Sequence, residues 1–278
     1  APYYQSTSIL NPFYGTVGTY NSIMGNTGGD NRVEFATRMP HAIWYESPSL
    51  GGLALSVLFS PGQNLNSDNL IQALGEPGCT AGYSPTVLQG SLCNDGAFGD
   101  AWSAALTFKH GPVYAAAAWE FHKGVNRTVD ELFYGGASPD GSIGIANEYA
   151  WKLAATFELP THTRLGAAYE QLHRTNPWPN QDYNERDRDG LWVLGVQKIG
   201  QHDELDLGWA HAGKTPGDVG TRRADGTAAA GPVANAANMY TALFRHAFLD
   251  GQPTLYAVYA RQVNENGAHY DLGAGNHG

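Results

Sequence analysis

The chain is short of charge. Only 15% of its 278 residues are Asp, Glu, Lys or Arg, where an average soluble domain carries about 25%. The charge that is present leans acidic, with 16 Lys and Arg against 26 Asp and Glu and a net charge of -10. This argues against a nucleic-acid partner, because phosphate binding needs a basic patch. Long hydrophobic runs are missing too. No stretch approaches the roughly 18 consecutive apolar residues of a membrane helix, and no basic region followed by an apolar one marks a signal peptide at the start. If the protein is exported, that peptide is absent from the sequence. Cysteine is nearly absent: Cys79 and Cys93 are the 2 in the chain, both in one segment of Gly, Pro, Ser and Asn. An even number confined to a polar loop suggests a local disulfide in an oxidising compartment, with two free thiols as the alternative. Between them lies no His and no acid, so a metal site there lacks ligands.

What the chain has instead is alternation. Glycine is abundant at 35 residues and aromatics make up 12%. From Leu53 to Phe59, Trp102 to Phe108 and Val113 to Phe121 every second residue is large or apolar, and its neighbours are mostly small or polar. One face of each strand is therefore greasy and the other is not. The spacing predicts strands over Ile43 to Ser47, Gly52 to Ser60, Trp102 to Lys109, Pro112 to His122, Asn147 to Glu158, Thr163 to Arg174, Leu191 to Ile199, Glu204 to Ala212, Ala237 to Phe248 and Thr254 to Val263. Very short turns join them in pairs, and long polar loops over 61–101, Lys123 to Ala146, Asn176 to Asp189 and Gly213 to Asn235 separate the pairs. Residues 1–42 read as a long irregular segment with its charges toward the end.

The greasy face is predicted as Leu53, Leu55, Val57 and Phe59, then Trp102, Ala104, Leu106 and Phe108, then Val113, Ala115, Ala117, Trp119 and Phe121. It continues through Tyr149, Trp151, Leu153, Ala155 and Phe157, then Leu205, Leu207 and Trp209, Tyr240, Ala242 and Phe244, and Leu255, Ala257 and Tyr259. Arg261 shares the last parity, so either it lies at the interfacial end of its strand or that face is misassigned. The opposite face carries Ala, Ser, Gly and Thr with scattered Lys152, Glu158, Arg164, Glu170 and Arg245. A soluble sandwich would meet bulk water there and carry many charges. Strands near the 9 to 11 residues that cross a bilayer at a tilt, with short turns on one side and long loops on the other, predict an all-β fold: a transmembrane antiparallel β-barrel.

Two patches resemble a known family. Arg38-Met39-Pro40-His41-Ala42-Ile43-Trp44-Tyr45-Glu46-Ser47-Pro48-Ser49-Leu50-Gly51-Gly52-Leu53 is similar to the segment of Gram-negative general porins in which an arginine-bearing loop end leads into a Tyr-acid-Ser-Pro strand end and a Gly-Gly turn. Phe248-Leu249-Asp250-Gly251-Gln252-Pro253-Thr254-Leu255-Tyr256-Ala257-Val258-Tyr259-Ala260 resembles that family's penultimate hairpin, departing at the Asp-Gly-Gln turn where a Ser-Lys-Arg type is usual. The resemblance implies a sixteen-stranded barrel in the intact protein, about ten strands of it here, incomplete at both ends. It implies one porin domain over 1–278, with 1–42 as the inward-folded constriction loop and 61–101 as a long extracellular loop. It also implies a homotrimer in the outer membrane of a Gram-negative bacterium, in contact with lipid and lipopolysaccharide. Such a protein passes ions and small hydrophilic solutes passively, with no enzyme activity and no cofactor.

In a water-filled constriction, charged side chains set the field that selects solutes. The candidates are Asp30, Arg32, Glu34 and Arg38 on the inward loop with Trp44 and Glu46 on the adjoining strand, and Lys109, Glu120, Lys152, Arg164 and Arg245 as further lumen-facing residues. A substrate-selective channel is the alternative, but Trp44, Tyr114 and Tyr256 are too few for a continuous ladder. A soluble carbohydrate-binding or carbohydrate-active β-domain is a third reading, in which Glu120 and Glu158 would be a glycosidase pair if about 5 to 9 Å apart. Glu185, Asp187 and Asp189 resemble a fragment of a calcium loop without its closing bidentate Glu. Gly213-Lys214-Thr215 lacks the upstream Gly of a phosphate loop, and Asn126-Arg127-Thr128 matches a glycosylation acceptor with no bearing on a bacterial protein. The His residues lack zinc spacing, and His110, His162 and His202 fall in predicted turns.

Overall fold

The computed structural model describes residues 1–24, 35, 39, 42–61, 100–126, 145–174, 187–214, 236–248, 254–265, 268, 270 and 272. Asp30, Arg32, Glu34, Arg38, Cys79, Cys93, Glu185 and most of the long loops lie outside them. Ten strands are described: β1 (Ile43–Glu46), β2 (Leu53–Pro61), β3 (Asp100–His110), β4 (Val113–Asn126), β5 (Ile145–Glu158), β6 (Thr163–Arg174), β7 (Arg188–Ile199), β8 (Asp203–Ala212), β9 (Ala237–Ala247) and β10 (Thr254–Asn264). Each pairs antiparallel with its neighbour in sequence, giving one sheet in the order β1 to β10 that does not close on itself. No described helix is long and apolar enough to cross a membrane.

Several predicted loops are shorter than the sequence pattern suggests. β4 runs on to Asn126 and β5 begins at Ile145, with a register shift between His122 and Val125. Pro61, Asp100 and Ala101 belong to β2 and β3, and His110 ends β3 rather than sitting in a turn. β7 begins at Arg188, where the charged stretch reads as loop, because Arg188 and Asp189 pair with Leu172 and Gln171. The ladder satisfies the backbone whatever the side chains are, so charge does not end a strand whose alternate residues have polar partners.

Register fixes the two faces. One cross-strand row runs Phe108, Ala115, Ala155, Ala167, Val193, Trp209, Tyr240, Arg261. The predicted greasy residues on this side are exposed or half-exposed across the whole sheet, with Leu106, Leu153, Leu207 and Leu255 exposed and Leu165, outside the predicted set, exposed among them. Soluble proteins rarely leave more than a few hundred square ångströms of contiguous apolar surface, so lipid is the medium this face requires. Arg261 keeps the outward parity, opposite Tyr240 and close to the end of β10, which places it among the aromatics at the rim.

The other face is covered by residues 1–24. They form a single short α-helical turn, α1 (Pro2–Gln5), whose proline sits at the first helical position where no N–H is needed, followed by 3-10 turns at Ser8–Leu10 and Tyr20–Ser22. Leu10, Phe13, Tyr20, Ile23 and Met24 pack into one cluster with Trp192, Leu194 and Val196 of β7 and Met239 and Leu243 of β9. β7 is therefore apolar on both sides, which is why its alternation is weak in the sequence: Val193 faces out while Trp192 is fully buried within. The Trp192 ring lies against Gly208 of β8, where a Cβ would stand 2.1 Å from it. The tight turn before β2 uses Gly52 at φ +92, with its side-chain position against the Lys109 carbonyl.

Candidate functional site

The inner face carries two polar clusters. The first is built on β3 to β6. His122 Nδ1 stands 2.9 Å from Glu148 Oε1 and its Nε2 3.4 Å from Glu120 Oε1, with the Phe35 ring stacked on the imidazole at 5.0 Å. Lys152 pairs in register with Glu170. Its Nζ donates to Thr7 Oγ1 at 2.8 Å and lies 4.0 Å over the Tyr3 ring. Tyr3 donates its hydroxyl to Glu170 Oε2 at 3.1 Å and its backbone N–H to Ser103 Oγ at 2.9 Å. Burial, with Glu170 and Glu120 nearby, holds the Tyr3 phenol well above its ordinary pKa, so it remains a neutral donor to the carboxylate.

The second cluster is built on β8 and β9. Arg245 reaches Glu204 at 2.7 Å with Nη1 and the buried Asp206 at 3.0 Å with Nη2. Its Nη2 also donates to the Pro12 carbonyl.

Residues 1–24 contain no Asp, Glu, Lys or Arg, so the wall holds them by dipoles rather than by ion pairs. Four wall donors take four backbone carbonyls. Tyr114 OH donates to Ser6 at 2.6 Å, Trp192 Nε1 to Leu10 at 2.8 Å, Arg245 to Pro12, and Arg188 Nη2 to Ile23 at 2.8 Å. These carbonyls belong to turns too short to use them internally, and a buried unpaired carbonyl is costly.

Glu120, Lys152, Arg164 and Arg245 lie on this inner face. Lys109 shares it in a row with Tyr114 and Thr156, but is exposed. Trp44 and Glu46 pair with Leu58 and Ser56, whose parity is inward, and both are exposed on the edge strand β1. Glu120 and Glu158 are not brought together: Glu120 pairs with Ala150, and Glu158 ends the same strand, about 26 Å along it at 3.3 Å per residue. The glycosidase pair is thereby overturned. Asp187 pairs with His173 at 2.7 Å and Asp189 belongs to β7, so no calcium loop forms from them. No group able to hold a metal occurs among the described residues.

The pattern missed His122, Glu148, Arg188, Asp206 and Trp192. Parity with Lys152 and Glu120 would have placed Glu148 and His122 inward, and the odd positions of β8 imply an inward Asp206. Arg188 was hidden by the loop assignment, and nothing in the sequence foretells an indole donor to a carbonyl in another element.

The family model for Gram-negative porins matches residues 1–267. The chain belongs to the Gram-negative porin family. Membership places this porin in the outer membrane of a Gram-negative bacterium. Among solved structures the porin is similar to the anion-selective porin of Comamonas acidovorans, at TM-score 0.60 and 15% identity over 95% of this chain. It spans 61% of that protein's length. OmpT, an outer membrane protein of Vibrio cholerae in a trimer form, follows at TM-score 0.50 and 11% identity, covering 97% of this chain and 69% of that one. OmpF of Salmonella typhi aligns at TM-score 0.47 and 9% identity, over 83% and 58%. The first two likenesses concern the fold. No curated protein sequence matches the porin.

Proposed function

We propose that the porin forms a water-filled channel for passive diffusion of ions and small hydrophilic solutes. The single observation that carries this is the seating of residues 1–24 on the inner face by wall donors from β4, β7 and β9. A segment held there narrows the lumen, so 1–42 acts as the constriction loop, and the stretch between β2 and β3 acts as an extracellular loop. The intact barrel has sixteen strands, assembles as a homotrimer and contacts lipid and lipopolysaccharide through the apolar band. The porin catalyses no reaction and needs no cofactor. Its work is geometric and electrostatic: width excludes, and charge biases.

Apart from Glu46, the described inner-face carboxylates of the strands (Glu120, Glu148, Glu158, Glu170, Glu204 and Asp206) are matched in number by Lys109, Lys152, Arg164, Arg188, Lys198 and Arg245. Lys152 faces Glu170, Arg245 faces Glu204 and Asp206, and Glu158 pairs across strands with Arg164. This part of the wall therefore contributes little net field, and ion preference falls to Asp30, Arg32, Glu34, Arg38 and Glu46 near the constriction. Planar-bilayer recording of the full-length protein in a salt gradient tests the proposal. Stepwise openings in groups of three, with a reversal potential that moves when Glu46 or Arg38 is neutralised, are expected. Absence of any conductance from folded, detergent-solubilised protein would overturn the channel reading.

A further inference from the structure

A second stretch of chain reaches the inner face. Ala268 and Tyr270, which follow β10, are 6% and 3% exposed and belong to the same buried cluster as Leu10, Phe13, Ile23 and Met24. β10 ends at Asn264, on the long-loop side. The Asn264 Nδ2 donates to the Tyr270 carbonyl at 2.7 Å, and the Ala268 N–H donates to the Glu265 carbonyl at 3.0 Å, so the chain turns back on itself as it leaves the sheet. Glu265 fixes the base of this reversal. Its N–H donates to the Ala236 carbonyl at 2.9 Å, its Oε2 accepts the Ala236 N–H at 3.0 Å, and Lys214 Nζ lies 3.7 Å from the same oxygen.

Tyr270 meets the wall far from its own strand. The guanidinium carbon of Arg188 lies 5.3 Å from the centre of its ring, and Arg188 opens β7, while Tyr270 follows β10. At about 4.8 Å between neighbouring strands the two strands stand about 14 Å apart along the sheet, so the contact spans β8 and β9 at the long-loop mouth. Arg188 is also where the two stretches meet. Its Nη2 donates to the Ile23 carbonyl at 2.8 Å, and its flat face takes the Tyr270 ring, a contact that contributes roughly twofold to thirtyfold to a docking constant. Arg188, like Tyr270, is only 3% exposed, so neither contact is shared with water. One buried cation pins the end of the first segment and the second stretch together. The Tyr270 hydroxyl takes no part: it has no hydrogen-bond partner among the described residues. The ring docks, and the hydroxyl weakens the docking, because burying an unpaired donor is costly.

We propose that the stretch carrying Glu265, Ala268 and Tyr270 is a second constriction element at the long-loop mouth, docked on the first through Arg188, so that the two narrow the lumen as a pair and loosen as a pair. The proposal rests on the channel reading, and its test separates the two.

The full-length, folded protein is used throughout, and conduction and docking are read separately. In planar bilayers Tyr270→Ala raises single-channel conductance and admits a larger polyethylene glycol than the parent does. Tyr270→Phe keeps the ring and loses the unpaired hydroxyl, so its conductance stays at or below the parent's. Amide hydrogen exchange of the detergent-solubilised protein reads docking without conduction. The Ile23 and Met24 N–H groups donate to the Tyr20 carbonyl at 3.1 and 3.0 Å. In Tyr270→Ala their exchange quickens about threefold to tenfold, the range of a lost aromatic contact, and in Tyr270→Phe it does not quicken. Glu265→Ala removes a side chain that is 39% exposed, so the core stays filled, and it moves both readings in the direction of Tyr270→Ala by a smaller amount. In a conducting protein, unchanged conductance or unchanged exchange at Ile23 and Met24 in Tyr270→Ala overturns the second element and leaves the channel standing, as does a Tyr270→Phe variant as loose as Tyr270→Ala. Faster exchange in Tyr270→Ala supports the docking even in a protein that does not conduct, where the channel reading alone fails.

Discussion

Replacing Trp192 with Ala tests how the inward segment is held. The side chain is 0% exposed. Its ring meets Phe13 edge-on at 5.9 Å and Tyr20 at 5.1 Å, and its Nε1 donates to the Leu10 carbonyl at 2.8 Å. Truncating a fully buried Trp destabilises by about 3–5 kcal/mol. Within that, each aromatic pair supplies about 0.5–1.5 kcal/mol beyond its area and the lost hydrogen bond about 1 kcal/mol, with the Leu10 carbonyl left buried. These three contacts all join β7 to residues 1–24, so much of the loss falls on docking of the segment rather than on the sheet ladder. Urea unfolding of the detergent-solubilised protein, followed by fluorescence of the remaining tryptophans and by circular dichroism, gives the magnitude. Single-channel recording gives the location: current noise and conductance rise when the segment loosens. Trp192→Phe retains ring contact and loses the donor, so it falls between parent and Trp192→Ala. In a double-mutant cycle, Trp192→Ala and Phe13→Ala are non-additive by about 0.5–1.5 kcal/mol. A loss below about 1 kcal/mol with quiet, unchanged currents, or strict additivity, would refute the packing described.

Gly208→Ala places a methyl 2.1 Å from the Trp192 ring and 2.6 Å from Thr241 Oγ1, so it destabilises by about 1–3 kcal/mol; in the Trp192→Ala background the penalty falls but does not vanish, because the Thr241 hydroxyl still crowds the methyl, and the urea midpoint reports both. Arg245→Ala leaves Glu204 and the buried Asp206 facing each other without a guanidinium, and with the Arg245 side chain 31% exposed the loss sits near the low end for a buried pair broken from one side, about 3 kcal/mol. The same variant removes positive charge from the inner face, and its reversal potential shifts toward cation preference in a salt gradient. Leu153→Arg, at a position 54% exposed in the outward band, destabilises by about 2–4 kcal/mol if β5 crosses the hydrocarbon core there; refolding yield into lipid vesicles falls accordingly, while Leu153→Phe leaves it unchanged.

The fold was legible where one face meets lipid and the other does not. Leu53 to Phe59 and Tyr149 to Phe157 announce both their strands and their parity, because only alternate residues are driven out of water. Where both faces are apolar the signal fades: β7 has Leu191, Trp192, Val193, Leu194 and Val196 in near succession, and its outward set could not be read. Strand ends were misplaced where charged residues such as Arg188 and Lys123 continue the ladder, since backbone pairing is indifferent to them. Inner charges such as Lys152 and Arg245 were visible as exceptions on a small-residue face. The partners of Lys152 in residues 1–24 were not, because Thr7 and Tyr3 lie far away in sequence and carry no charge that would mark them as complementary. The grip on backbone carbonyls is the least legible feature, as every residue has a carbonyl and only the three-dimensional path decides which ones meet a donor.

A clamp that closes on main-chain oxygens is blind to the identity of the residues it clamps. Ser6, Leu10, Pro12 and Ile23 offer the wall what any amino acid would offer at those points. Substitutions on the solute-facing side can therefore accumulate without loosening the attachment. Anchoring is written in these carbonyls and in the buried side chains, selectivity in the side chains that face the solute, and the second set is free to drift toward new solutes while the first stays fixed.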